Sequence, residues 1–494
     1  MRPNQLTVLL TFAAAVFLAL IAGFAVATAN YALLEFAAAM VILTTLIVMP
    51  GYMPLLVFGL LMPFSLPVPF IWVLPFLFIA LGICAVKYWL QRGLQHNPQS
   101  MRFKAMNFSI GLFFAWVFLR YCMKPSLPNM MGFGTNVTGF RAWLNYALSF
   151  GVIILLGRLV ANRAGLLSLM RWLAYGSIFF VLLFEAATLS RSLAVASIFV
   201  RLGMFVDFFD NGLLRFVVLP KFGIILFSLA MLPRLLNLKS FGRWTLVLLG
   251  FSAILFGGNR STFGAALVVV IAIPLLQRKF RRAAATAGTV LAVALGGFYA
   301  GAMLSRLPQT GILRPLALVS PALARVTNAE ANLEWREVRW QRAMDEIREH
   351  PVMGIGYGGL ENVFELGYVS EEESQDMSLV TGNIHNGYLA CALALGIPAA
   401  LLLIYILSSQ IIANARRGWS LQKADPEAAE AHIFVCALLL SYVPSILIGA
   451  DVNDPVLWFL LALGIFIRQL RRQEARKAAA APAFAEPALA RQLA

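Results

Sequence analysis

The sequence predicts an all-α polytopic membrane protein with about 12–14 transmembrane helices and one large outer loop. Of its 494 residues, 60% are hydrophobic and only 13% are charged, whereas soluble domains carry roughly 25% charged residues. Long apolar runs recur along the chain and can span a hydrocarbon core roughly 30 Å thick. Because these runs are continuous and do not alternate in period two, they exclude a transmembrane β-barrel.

The candidate spans follow one another along most of the chain. The first is too long for the apolar core of a typical signal peptide, so we expect it to remain in the protein. The third is short and flanked by proline, which leaves a re-entrant segment as the alternative. The spans cover residues 6–27, 32–48, 53–62, 71–90, 108–121, 144–160, 172–189, 222–236, 244–256, 263–276, 284–303, 387–413, 433–447 and 456–467.

Basic residues indicate how the chain is oriented. The formal net charge is +16, but Lys and Arg lie in short loops on alternate sides of the spans. That is the pattern of cytoplasmic loops and not of nucleic-acid binding. With the N-terminus inside, the basic loops fall on the cytoplasmic side and the polar stretch 305–384 falls on the outer side. The basic loops lie near residues 87–104, 158–171, 234–243, 278–282 and 416–423.

Four regions follow from this pattern. We expect a transmembrane bundle over residues 1–304, an outer catalytic loop over 305–384, C-terminal spans over 385–470 and a disordered cytoplasmic tail over 471–494. A second outer segment, 191–221, mixes apolar and charged residues and predicts an interfacial helix or a re-entrant lid. The four cysteines lack metal or disulfide spacing, so they are interpreted as small core residues.

The outer loop contains a predicted helix over residues 333–349. Thr327 and Glu330 have the spacing of a capping box before it, and Pro351 marks its end. At about 100° per residue, one stripe of this helix should pack against the membrane domain. The stripe consists of Leu333, Trp340, Met344 and Ile347.

Three arginines occupy different positions around this helix. Arg336 lies inside the stripe, Arg339 lies on its flank and Arg342 points away. An arginine on a packed face is costly unless an anion binds it, so Arg336 and its neighbour Arg339 are candidate anion ligands. The alternative is a structural salt bridge to a loop carboxylate, or a side chain that snorkels to water.

A further candidate anion ligand is Arg260, in the tight connection 257–262 between two spans. An arginine on the outer side departs from the positive-inside trend. Asn259 and Ser261 can cap the following helix, whose first amide groups can help to bind an anion beside Arg260. The alternative is an arginine that contacts lipid headgroups.

His385 is the candidate general base. It precedes the span 387–413, whose helix Asn386 or Asn383 can cap. A helix N-terminus disfavours a positive imidazolium, so a neutral His385 can accept a proton from a hydroxyl. A histidine that is merely hydrogen-bonded is the alternative. The glycine run 354–359 follows a helix and lacks a P-loop lysine, so it predicts a chain-reversing turn and not a nucleotide site.

Taken in order, these residues resemble the O-antigen ligase/polysaccharide polymerase family. That family pairs an arginine at the end of a span with a large outer loop carrying R-x-x-x-W, then H-P-x-x-G-x-G, then H-N-x-x-L. The match covers roughly residues 250–410, and the preceding part of the chain agrees only in being a bundle of spans. The matching residues are Arg260, Arg336, Trp340, His350, Pro351, Gly354, Gly356, His385, Asn386 and Leu389.

The resemblance implies a C-type membrane glycosyltransferase in the bacterial inner membrane, with its active site facing the periplasm. The implied donor is a glycan linked to a polyprenyl diphosphate, and the acceptor is a glycan or lipid-linked glycan. Arg260 and Arg336, with Arg339 as a neighbour, would bind the pyrophosphate, and His385 would activate the acceptor hydroxyl. Direct displacement would invert the anomeric centre without a metal or cofactor. The expected supporting residues are Asn259, Trp340 and Asn386.

Three functions remain open at this point. A polymerase of exopolysaccharide or O-antigen would transfer the growing glycan to another lipid-linked repeat unit, and the H-N-G-Y-L run followed by Gly396-Ile397 favours it. An O-antigen ligase of lipopolysaccharide biosynthesis would transfer the finished glycan to a lipid A core. A glycolipid transporter or flippase would show inverted repeats and charges at mid-membrane, and neither is evident in the sequence.

Overall fold

The computed structural model describes twelve stretches of the chain, and all structural statements below concern them. They are residues 53–61, 65–68, 72–94, 107–125, 139–160, 162–201, 206–208, 214–258, 260–304, 331–357, 384–449 and 451–480. The first two predicted spans, 6–27 and 32–48, lie outside the described residues.

Helices make up most of the described chain. They are α1 Met53–Leu61, α2 Phe76–Leu94, α3 Phe108–Met123, α4 Gly139–Leu159, α5 Arg163–Ser190, α6 Leu193–Arg201, α7 Leu219–Met231, α8 Ser240–Phe256, α9 Arg260–Leu276, α10 Phe280–Leu304, α11 Ala331–Glu349, α12 Gly387–Leu395, α13 Ile397–Leu421, α14 Pro426–Ile448 and α15 Pro455–Ala480. Two antiparallel hairpins, which the sequence did not predict, join β1 Ser65–Val68 to β2 Trp72–Pro75 and β3 Val206–Phe208 to β4 Leu214–Phe216.

The protein is an all-α polytopic membrane protein, as predicted. Among the described helices, α5, α13 and α14 are long and apolar enough to cross a membrane, and shorter apolar helices accompany them. Large apolar side chains such as Phe118 and Leu401 are 68% and 61% exposed. Apolar surface of this kind requires an apolar solvent, and the bilayer supplies it.

The described helices pack around α14. This helix is buried along most of its length and contacts α7, α9, α13 and α15. Glycines allow neighbouring helices to approach closely. A Cβ added to Gly223 of α7 would lie 2.6 Å from the carbonyl oxygen of Gly250 in α8, and one added to Gly464 of α15 would lie 2.6 Å from Asn414 Nδ2 of α13. The crossing of α7 and α8 therefore requires glycine, whereas a Cβ at Gly464 would force the Asn414 side chain to move.

The bundle has two ends, which we name the His385 end and the Asp425 end. Gln422 Nε2 donates a hydrogen bond to the carbonyl oxygen of Leu276, so α9 and α13 finish together at the Asp425 end. Helix α13 follows α12, which begins two residues after His385. The start of α9 therefore lies at the His385 end, about 25 Å from its finish.

Ion pairs fasten the Asp425 end. Asp425 accepts a hydrogen bond from the Ala428 amide, which caps α14, and pairs with Arg163 of α5 and Arg471 of α15 at 2.9 and 2.7 Å. Arg163 also pairs with Glu427 at 3.0 Å. Three helices are thereby held together at this end.

Two predictions about the C-terminal part were wrong. The predicted span 387–413 consists of two helices, because the chain breaks at Gly396, where φ is +89°. Helix α15 continues to Ala480, so the predicted disorder does not hold for residues 471–480. That stretch is rich in alanine and arginine, which are strong helix formers.

Two further expectations are refined. The segment 191–221, predicted to be outer, contains the short helix α6 and then the β3–β4 hairpin, in place of a single interfacial helix. Cys122 is exposed and is not a core residue, whereas Cys84, Cys391 and Cys436 are buried. Cys122 lies on the side of α3 that faces away from the described bundle.

Candidate functional site

The loop helix α11 is attached to the residue that precedes His385. Trp340 Nε1 donates a hydrogen bond of 2.8 Å to the carbonyl oxygen of Ile384, which is fully buried. Helix α11 also packs against α12. Trp340 therefore ties the loop helix to the segment that carries His385.

The buried face of α11 differs from the predicted stripe. Arg339, Ala343 and Ile347 are buried at four-residue spacing, whereas Met344 is 45% exposed. The predicted place of Met344 on the packed face was wrong, and so was the place of Arg339 on its flank. The helix is polar on most sides. Its few apolar residues were therefore too weak a signal to identify the face that packs against the segment of His385.

Two arginines bring positive charge to this face. Arg339 is 6% exposed, and burial lowers its pKa to about 10. Burial also lowers the pKa of Arg336, whose Nε is buried without a hydrogen-bond partner among the described residues. Burying a guanidinium is costly unless an anion or several acceptors receive it. The two side chains therefore form a surface suited to an anion.

His385 lies beside these arginines as a neutral imidazole. Burial and then the positive charges of Arg336 and Arg339 lower its pKa to about 4. Its backbone is left-handed, with φ of 51°, which is uncommon for a residue other than glycine and recurs at functional sites. At neutral pH the imidazole is uncharged and can accept a proton.

Asn386 begins α12. Its Oδ1 accepts hydrogen bonds from the amides of Tyr388 and Leu389 at 3.1 and 3.2 Å, which confirms the predicted N-cap. A cap of this kind fixes where a helix starts. His385, one residue earlier, is thereby held at a defined position beside α11.

Residues 351–357, which we name the glycine segment, lie against the break between α12 and α13. The last carbonyl groups of a helix have no partners within it and need donors from elsewhere. Three such bonds are present: Ile355 N to Leu393 O at 2.7 Å, Gly356 N to Ala394 O at 3.0 Å, and Trp116 Nε1 to Leu395 O at 2.8 Å. The segment after Pro351 is therefore a partner for a broken helix. The chain turn itself lies at residues 351–353.

Close backbone contact explains why glycine occupies both sides of this junction. Gly396 has φ of +89°, and a Cβ there would lie 1.8 Å from the carbonyl oxygen of Val352. Gly354 has φ of +64°, and a Cβ there would lie 2.4 Å from the carbonyl oxygen of Leu393. Both positions combine a left-handed backbone with no room for a side chain.

Alanine at Gly396 is expected to destabilise the protein by about 3 kcal/mol, because it adds overpacking to a strained backbone. The melting temperature of the purified protein in detergent would fall. Gly288 in α10 is the matched control, because a Cβ there meets nothing within 4 Å. Gly288→Ala should be neutral or slightly stabilising. Equal melting temperatures for both variants would contradict the described junction.

At the far end of α11, three residues of types that can ligate a metal lie close together, and this is the one such group among the described residues. Helix α11 ends at Glu349, as Pro351 predicts. Ligand atoms of Glu346, Glu349 and His350 lie within 4.8 Å of one another. Glu346 is about 15 Å along the helix from Arg336, and the group is largely exposed. It therefore stands apart from the arginines and from His385.

The connection before Arg260 is held by a residue that belongs to no motif. Arg215 of β4 donates from Nε to the Gly257 carbonyl oxygen at 3.0 Å and from Nη2 to that of Gly258 at 3.3 Å. A Cβ on Gly257 would lie 1.9 Å from Pro220 Cγ, so the turn fits tightly against the start of α7. In the sequence Arg215 was one of several charged residues in the segment 191–221, and nothing distinguished it from the others.

The predicted site residues are thus only partly assembled by the described structure. His385, Arg336 and Arg339 lie together, and the start of α9 lies at the same end of the bundle. Asn259 and the side chain of Arg260 lie outside the described residues. The loop helix, the broken helix and the start of α9 are the three elements that supply the predicted residues.

Comparison with known families agrees with this arrangement. Residues 245–404 match a family model described as O-antigen ligase. The matched range contains α9, α11, the glycine segment and α12. A search of curated proteins found no match. Over residues 245–404 the chain is thus similar to the O-antigen ligase family, as its motifs predicted.

Proposed function

We propose that the protein transfers a glycan from a polyprenyl diphosphate to a sugar hydroxyl of another lipid-linked repeat unit, and so polymerises surface polysaccharide. The proposal is carried by one observation: a neutral His385 lies beside two guanidiniums, Arg336 and Arg339, on a buried face. Members of the matched family are glycosyltransferase-like ligases and polymerases, which supports an enzyme.

The proposed reaction is a single displacement. The acceptor oxygen bonds to the anomeric carbon while the bond from that carbon to the diphosphate oxygen breaks. His385 takes the hydroxyl proton, and the polyprenyl diphosphate leaves with the bonding electron pair. Arg336 and Arg339, together with Arg260 from the start of α9, stabilise the charge on the leaving group. The anomeric carbon is inverted, and the guanidiniums supply the charge neutralisation for which other enzymes use a metal.

We infer that the protein lies in the bacterial inner membrane with the His385 end facing the periplasm. Connections at the Asp425 end are rich in basic residues, which is typical of cytoplasmic loops. Lipid-linked glycan would then enter from the outer leaflet. The basic residues in these connections include Arg163, Arg234, Arg278, Lys279 and Lys423.

The rate of transfer should be constant from about pH 8 to about pH 5 and should fall towards pH 4. A general base must be unprotonated, and the pKa of His385 is lowered from 6.5 to about 4. Removing one positive charge, in Arg336→Gln, should raise this pKa and move the acid limb of kcat/KM to higher pH. An acid limb that stays in place in the variant would show that these charges do not act on the catalytic base.

Arg215→Gln should raise the KM for the lipid-linked donor about tenfold, because the turn before Arg260 loses two hydrogen bonds to its carbonyl groups. Steady-state kinetics of the purified protein measure this effect. Arg191, an exposed arginine that follows the end of α5, is the matched control, and Arg191→Gln should leave the KM unchanged. Similar kinetics for both variants would remove the link between Arg215 and Arg260.

The alternative function is an O-antigen ligase that transfers the finished glycan to a lipid A core, and the description of the matching family model favours it. Deleting the gene separates the two functions. A polymerase is indicated if all polymer disappears. A ligase is indicated if intact polymer remains on its lipid carrier.

A further inference from the structure

An apolar groove opens between α3 and α4. Its volume is about 510 Å³, and on α3 it runs from Gly111 to Tyr121. That length is about 15 Å, half of a hydrocarbon core roughly 30 Å thick. The groove therefore has the depth of one leaflet. Its aromatic lining comprises Phe114, Phe118, Tyr121, Trp143, Tyr146 and Phe150.

Two cations lie where this groove meets the glycine segment. Arg120 lies on α3 three residues after Val117, which lines the groove, and Lys124 follows the end of α3. Lys124 Nζ donates to the carbonyl oxygen of Ile355 and Arg120 Nη2 to that of Gly354, both at 2.8 Å. Among the described residues, neither cation pairs with a carboxylate. Within the part of the chain that the structure describes, the groove thus ends in positive charge without a counter-ion.

The carbonyl groups of Gly354 and Ile355 could accept hydrogen bonds from uncharged donors, so they do not require a cation. A neutral donor, Trp116, satisfies the carbonyl oxygen of Leu395 at the same junction. Arg120 is 6% exposed, and its Nε is buried without a hydrogen-bond partner in the described structure. A buried guanidinium with unused donors suits an anionic ligand.

The glycine segment connects the groove to the helix that starts at the candidate site. The ring of Tyr357 packs edge-on against Trp143, with centroids 4.9 Å apart, and its hydroxyl lies 3.0 Å from that of Tyr146. The amide of Ile355 donates a hydrogen bond to the carbonyl oxygen of Leu393 in α12. Leu393 is eight residues beyond His385, which is roughly 12 Å along a helix.

We propose that this groove is a second lipid site, which binds the polyprenyl diphosphate of the acceptor. The inference rests on the proposed polymerase function. The donor diphosphate leaves from the reacting carbon and must lie beside His385. The acceptor reacts through a sugar remote from its own diphosphate, so that diphosphate must bind some distance away. The cations Arg120 and Lys124 meet this requirement, and the groove accepts the first few isoprene units of an extended chain in one leaflet.

Lipid binding tests the site without relying on catalysis. Native mass spectrometry would measure retention of polyprenyl diphosphate by the purified full-length protein. Ala115→Trp fills the groove and Lys124→Glu reverses the charge of an exposed cation, so each should weaken retention about tenfold. The matched control is Leu112→Trp, on a 45% exposed position of α3 that does not line the groove. An equal loss in Leu112→Trp, or equal retention of phosphatidylglycerol, would overturn the site.

Kinetics test the assignment to the acceptor. Two modified substrates separate the roles. The donor has its own accepting hydroxyl blocked, so it cannot act as an acceptor. The acceptor carries a phosphonate in place of the diphosphate, so its lipid cannot leave and it cannot act as a donor. Ala115→Trp should raise the KM for the acceptor about tenfold and leave the KM for the donor unchanged. A rise in the KM for the donor instead would assign the groove to the donor and refute the proposal. If the wild-type protein forms no glycosidic bond, the proposed polymerase fails, and the binding experiment alone then decides whether the groove holds the lipid.

Discussion

Replacing His385 with alanine is expected to lower kcat by about 100-fold or more, while the protein still inserts in the membrane. Without the imidazole, the acceptor hydroxyl has no group to take its proton as the glycosidic bond forms. The arginines proposed to bind the diphosphate are untouched, so the KM for the donor should change little. Release of polyprenyl diphosphate by the purified protein measures the rate, and size-exclusion chromatography in detergent checks the fold.

His350 provides the control for this substitution. It is an exposed histidine that follows the end of α11, far along the helix from Arg336. His350→Ala should leave kcat and KM within about twofold of the wild-type values, as expected for an exposed position. Near-normal activity in His385→Ala would remove the general-base proposal, because no acceptor activation would then depend on that imidazole.

Replacing Arg336 or Arg339 with glutamine is expected to lower kcat by about 100-fold each and to raise the KM for the donor. In the proposed reaction both guanidiniums stabilise the leaving diphosphate, on which negative charge increases in the transition state. Removing either one should therefore cost more in the transition state than in the bound donor. Single-turnover transfer from a defined lipid-linked glycan measures the effect on the chemical step.

The melting temperature of Arg336→Gln distinguishes a functional role of Arg336 from a structural salt bridge. Among the described residues Arg336 is half-buried and has no carboxylate partner. Such a cation is costly to the folded state, so Arg336→Gln should keep or raise the melting temperature while activity is lost. Arg342 lies on the same helix, and Arg342→Gln should retain activity within about twofold. If Arg336→Gln instead lowers the melting temperature strongly, the side chain belongs to a structural salt bridge, the alternative noted from the sequence.

Local patterns were sufficient for much of the fold. Continuous apolar runs predicted the spans from 108–121 to 263–276, and the helices found there differ mainly at their ends. Pro351 predicted the end of α11, and Asn386, one of the two candidate caps, is the cap of α12. These features depend on neighbouring residues alone, which is why one sequence reveals them.

Features that depend on distant partners were missed. The apolar run 387–413 hides its break at Gly396, because the donors that make the break stable come from Ile355 and Gly356. The burial of Arg339 depends on the attachment of Trp340 to Ile384, and no periodicity within a polar helix contains that information. Arg215 likewise acts on carbonyl groups that lie 42 and 43 residues away along the chain.

The most direct test incubates the purified protein with one defined polyprenyl-diphosphate-linked repeat unit, with and without lipid A core. The proposed polymerase should form glycosidic bonds in the absence of lipid A core and release one polyprenyl diphosphate for each bond, and His385→Ala should do neither. Transfer that occurs only with lipid A core would establish the ligase alternative. Movement of the lipid-linked glycan across liposomes without any new glycosidic bond would contradict glycosyl transfer altogether.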